Sequence, residues 1–72
     1  MEATQDVDLK KLNEAIDGSG FRIGFLADEL GITYQSFRLK REGTIPWKKL
    51  EKEKLISVLN MTEETAREIF LL

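Results

Sequence analysis

Apolar side chains recur three and four positions apart in successive stretches of this chain, and residues that start or stop helices bound each stretch. Leu9, Leu12, Ala15 and Ile16 form the first stripe. Asp6 or Asp8 can cap its start, and Gly18-Ser19-Gly20 stops it. Ile23 to Leu30 is the second helix, with Leu26, Ala27 and Leu30 on one face and Gly31 as its stop. Thr33 is placed to cap a third helix running from Tyr34 to about Arg41, with Phe37 facing the core. Pro46 suits the first turn of a fourth, where a missing N–H costs nothing. From Lys48 to Lys54 only Leu50 is apolar, apart from which the buried half falls to Leu55, Ile56, Val58 and Leu59 before Asn60. Thr62 caps a fifth helix, with Glu63 and Glu64 at its positive end and Ala66, Ile69, Phe70 and Leu72 on its apolar side. Residues 1–6 have little to bury and are expected to fray.

The pattern centres on Phe21 to Arg41, two short helices about a tight turn at Gly31. Ala27 falls where the helix backbones must approach, so a small residue is needed there. Ile32 is expected to plug the angle between the helices, and Phe21 to tuck beneath them. Gly24 costs about 1 kcal/mol against Ala within a helix, which points to close packing of helices or a backbone brought near a phosphate, the first being favoured. Phe25 lies beside Leu26, so one of the two must face outward, and Phe25 is the candidate. Trp47 is expected as a lid over the third and fourth helices.

Leu26-Ala27-x-x-Leu30-Gly31-Ile32-Thr33-x-x-Ser36-Phe37 resembles the helix-turn-helix of the lambda-repressor-like family, the small Cro-type and repressor-type regulators of phages and bacteria. The helix before it, the Pro46-Trp47 pair, and Leu59-Asn60-Met61-Thr62 followed by a helix ending Ile69-Phe70 extend the resemblance over Leu9 to Phe70. The resemblance implies an all-α, compact five-helix domain spanning the whole chain, with the motif as its second and third helices. It implies a sequence-specific, DNA-binding transcriptional regulator that acts by occupying an operator on double-stranded DNA. By position match, Tyr34, Gln35 and Leu39 meet base edges, while Thr33 and Ser36 lie near the backbone or a base. Gln can bond bidentately to adenine, and Tyr can reach a thymine methyl or a phosphate. Arg38, Lys40 and Arg41 supply charge for phosphates. Members of the family often pair through the C-terminal region, so Phe70, Leu71 and Leu72 are candidate contacts of a homodimer; the alternative is that Ile69 and Phe70 close the monomer core. The chain departs from the family in two places. Lys40-Arg41 stands where an apolar residue is usual, which leaves Leu39 to supply that packing. Glu42-Gly43-Thr44 replaces a loop that commonly touches phosphate, and Glu42 would repel one.

Composition narrows the chemistry. The chain has 72 residues, with no Cys and no His, which removes a disulfide framework, a zinc site and a Cys or His nucleophile. Its carboxylates, Lys, Ser, Thr and single Tyr show no catalytic arrangement, so neither an enzyme, a cofactor, a metal site nor a small-molecule ligand is expected. No apolar run approaches the roughly 18 residues of a membrane span, Met1 to Asp6 carries no leader pattern, and a cytoplasmic location is the expectation. Net charge is −2, but its distribution matters more than its sum. Residues 1–21 carry five acids and two bases, residues 22–54 five acids and eight bases, and residues 55–72 three acids and one base. The middle stretch, residues 22–54, is therefore +3 between negative ends. Lys48, Lys49, Lys52 and Lys54 are read as a solvated helix face paired with Glu51 and Glu53, or alternatively as phosphate contacts. A second functional class stands beside the DNA-binding one: a protein-interaction module on the same fold, favoured by the acidic net charge, Glu42, and the exposed apolar candidates Phe25, Leu39 and Leu71.

Overall fold

The computed structural model describes residues 7–71. The capping role considered for Asp6, the fraying of residues 1–6 and the placement of Leu72 lie outside the described residues.

Helix boundaries follow the side chains that cap them. α1 (Leu9–Ser19) opens where the Lys11 N–H donates to Asp8 Oδ1 at 3.1 Å. It runs through Gly18 and ends at Gly20. α2 (Ile23–Leu30) ends at Gly31, whose φ of +73° lies in the left-handed region that Gly adopts without a Cβ penalty. The Gly31 N–H and the Ile32 N–H then return to carbonyls of α2, so the turn satisfies its own backbone. Thr33 Oγ1 accepts from the Ser36 N–H at 3.0 Å and starts α3 (Tyr34–Glu42), one residue longer than the sequence reading gave. α4 (Lys49–Val58) begins three residues after Pro46, so Pro46 is not in its first turn. The Glu51 carboxylate instead accepts from the Lys48 N–H at 3.0 Å and serves as the start signal. Asn60 takes a left-handed φ of +54° after α4, and Thr62 Oγ1 accepts from the Thr65 N–H to start α5 (Glu63–Phe70).

Five helices and no strand make up the described residues. One core joins all five: Leu12 and Ile16 from α1, Leu26 and Ala27 from α2, Phe37 from α3, Leu55 from α4, and Ile69 and Phe70 from α5. Trp47 is buried at its edge, its ring edge-on to Phe37 with centroids 5.4 Å apart, which covers α3 as the expected lid would. Ile32 is half-buried against the same cluster, in the angle between α2 and α3. Val7 is also buried, and the Asp8 N–H bonds the Ile69 carbonyl at 2.6 Å, tying the start of α1 to the end of α5. No apolar spacing marked Val7, which precedes the first stripe as a single residue.

Two packing expectations are corrected. Phe21 does not tuck beneath α2 and α3; it is 43% exposed and rests on Phe25 at 5.1 Å between ring centroids. Gly24 does not mark a close helix approach, because a Cβ built there meets nothing within 4 Å. The close approach falls at Gly43 instead, where φ is +89° and an added Cβ would stand 2.6 Å from Leu9 Cδ1.

Candidate nucleic-acid interface

α3 turns its side chains about 100° per residue, and that rotation sorts them. Phe37 and Lys40, three apart, point inward; Gln35, Arg38 and Glu42 fall on the opposite, exposed side, and Tyr34, three before Phe37, is exposed on the flank at the helix start. The inward side holds the helix by Phe37 against the core and by Ala27 of α2, whose small side chain is buried in the same cluster. The outward side carries an aromatic hydroxyl, an amide, one cation and one anion. Tyr34 is 57% exposed at the N-terminal end of the helix. Gln35 is exposed beside it, and Thr33 is exposed with its hydroxyl engaged in the cap. Ser36 is half-buried, and its hydroxyl bonds that of Thr33 at 3.0 Å. Both hydroxyls therefore stabilise the helix start. Arg38 and Glu42 face each other one turn apart at 3.8 Å, both about half exposed. An exposed pair of this kind is worth little to stability, but its opposite charges leave the face with no net charge.

Two residues expected to supply phosphate charge are placed elsewhere. Lys40 is buried, its Nζ 2.8 Å from Glu51 Oε1 and donating to the Pro46 carbonyl at 3.2 Å; the two side chains are only 7% and 10% exposed. Burial of this kind requires a paired charge, and Glu51 supplies it. Leu39, expected to pack in its place, is only half-buried; the stem of Lys40 fills the inward position itself. Arg41 turns toward α1, donating from Nε to Asn13 Oδ1 at 2.6 Å and from Nη2 to Asp17 at 3.1 Å, while Asn13 Nδ2 donates to the Arg41 carbonyl. Neither residue presents charge on the exposed side of α3. Their partners Glu51, Asn13 and Asp17 had no functional signal in the sequence, and Lys40, read as a phosphate contact, stands at the inward position three after Phe37. The lysines of α4 are not paired with Glu51, which is spent on Lys40; Lys52 is half-buried with Nζ 6.0 Å from the Phe70 ring centroid.

No protein-family profile, curated protein or solved structure matches this chain. The geometry of the exposed side of α3 is therefore the ground for any functional reading. Among the described residues, no cluster of acidic side chains is arranged to hold a metal ion, and no helix is long and apolar enough to cross a membrane. Of the candidate dimer contacts, Phe70 is fully buried in the monomer core and is withdrawn from an intermolecular role, whereas Leu71 is exposed. Leu72 lies outside the described residues.

Proposed function

We propose that this chain is a small lambda-repressor-like, sequence-specific DNA-binding regulator, with α2 and α3 as its helix-turn-helix and α3 as the helix that enters the major groove. The observation that carries this reading is the division of α3. Its inward side is locked by Phe37 and the Lys40–Glu51 pair, and its N-terminal outward side offers Tyr34 and Gln35 free of intramolecular side-chain bonds among the described residues. A rigid helix that displays an amide and a phenol at its start is suited to reading base edges. Arg38 is the cation on that side placed to reach a phosphate. The mechanism is occupancy: bound to an operator, the protein blocks or recruits polymerase, in the cytoplasm where the DNA is. Pairing of two copies through exposed apolar residues such as Leu71 would match a palindromic site.

Selection from random duplex DNA at about 100 mM salt, which suppresses weak non-specific binding, tests the reading. Enrichment of one sequence, or of a palindrome with half-sites a helical turn apart, is expected. Gln35→Ala then relaxes preference at one base position, and Arg38→Ala weakens binding to all sequences alike. A folded protein that enriches nothing refutes the proposal.

A further inference from the structure

Three of the exposed large apolar side chains are gathered in one place. Phe21 and Phe25 stack on each other, and with Tyr34 they line an open groove of about 620 Å³ between the end of α1, the start of α2 and the start of α3. The two phenylalanines are 43% and 44% exposed, a poor arrangement for water and one that marks a contact surface when it is contiguous. Charge decides what kind of contact. Asp17 lies in the groove wall, but its carboxylate is bound by Arg41. Arg22, on the same wall, is exposed, and its side chain has no ion-pair or hydrogen-bond partner among the described residues. The groove is thus apolar with one uncompensated positive charge. A DNA backbone would find donors only at Arg22 and the Tyr34 hydroxyl, and the two benzyl rings between them would be desolvated against its charge. An apolar side chain flanked by a carboxylate fits both halves of the groove.

We propose that this groove is a docking site for an acidic amphipathic segment of a partner protein, with an aromatic or aliphatic side chain seated against Phe21 and Phe25 and a carboxylate on Arg22. Tyr34 belongs both to the groove and to the exposed side of α3. An occupant therefore competes with any ligand of α3, which under the DNA-binding reading is the operator; the docking itself does not depend on that reading.

The test is a titration of the full chain, followed by amide NMR, with a synthetic acidic peptide carrying Phe and Leu four positions apart between Glu residues. The Lys-flanked counterpart and a short duplex DNA serve as the other probes. The acidic peptide is expected to shift the amides of residues 21–25 and Tyr34. Phe25→Ser and Arg22→Glu, both changes of exposed side chains, should each weaken it by about tenfold, the scale of losing one interface anchor. The Lys-flanked peptide should not bind. Shifts centred on α4 or α5, equal binding of both peptides, or no binding of either overturns the proposal. So does duplex DNA that perturbs Phe21 and Phe25 while the acidic peptide does not, since the groove would then belong to DNA. Peptide binding by a protein that enriches no DNA sequence would leave the groove standing and remove only the operator reading.

Discussion

Lys40 and Glu51 show how one pair of residues links the fold to the candidate site. Each is a charge taken almost wholly out of water, and among the described residues each is met by the other and by a backbone group: Pro46 O for Lys40 and the Lys48 N–H for Glu51. Removing one partner strands the second, which for a buried pair costs about 3–5 kcal/mol, whereas replacing both with apolar side chains of similar volume is often neutral or stabilising. Glu51→Ala should therefore lower the urea midpoint severely, and Lys40→Met with Glu51→Leu should recover most of the loss. If the double variant is as unstable as the single one, the pair is not the source of the effect. The glycines give a contrast on the same scale. Gly24→Ala meets open space at a helical position and should stabilise by about 0.5–1 kcal/mol. Gly43→Ala must hold a left-handed φ and push Leu9 aside, so it should destabilise. Thermal melts of the two variants should move in opposite directions. The spacing of Lys40 from Phe37 pointed inward, but its charge led to its being read as a phosphate contact, and spacing alone does not decide burial, since Tyr34, three before Phe37, is exposed. Glu51, 11 positions further on, could not be named from the sequence, because helical spacing carries no information about which residue of another helix stands opposite.

Elements were read most surely where a stop and a cap adjoin. Gly31, Ile32 and Thr33 give a helix end, a plug and a helix start in three consecutive positions, and the structure uses each in that role. Thr62 does the same for α5. The start of α4 was misread because Pro46 is a common first-turn residue, while the operating signal was the acid three after Lys48. The orientation of Phe21 was beyond reach for a different reason. A lone aromatic in a loop has no periodicity, and only the helix axes decide whether it meets the core or Phe25. The cap at Thr33 bears directly on the candidate interface, since it sets where α3 begins and so how Tyr34 and Gln35 project. Thr33→Ala loses the bond to the Ser36 N–H and should cost about 1 kcal/mol of stability. It should also fray the first turn, seen as faster amide exchange at Ser36 and Phe37 than at residues of α1. Thr33→Ser, which keeps the hydroxyl, should restore both.

Across the whole molecule, the basic middle stretch of the sequence turns out to be a poor guide to where positive charge is displayed. Lys40 and Arg41 are consumed internally, Arg38 faces Glu42, and the lysines lie on α4 rather than on the exposed side of α3. If α3 docks against a duplex, it does so with one cation whose charge is offset by a neighbour that phosphate repels. Glu42 is thus the residue that most limits electrostatic attraction on that side. Because the Arg38–Glu42 pair is exposed, breaking it should leave stability nearly unchanged. Glu42→Gln should then separate fold from binding: a melting curve close to that of the parent protein, with affinity for duplex DNA raised several-fold at low salt. The gain should shrink as salt is added, and the plot of log affinity against log salt should steepen by up to about one phosphate contact, a slope change near 0.9. An affinity gain that is independent of salt would mean that Glu42 acts through helix geometry. No gain at any salt would mean that DNA does not approach this side of α3, and would turn attention to the Phe21–Phe25 groove as the working surface of the molecule.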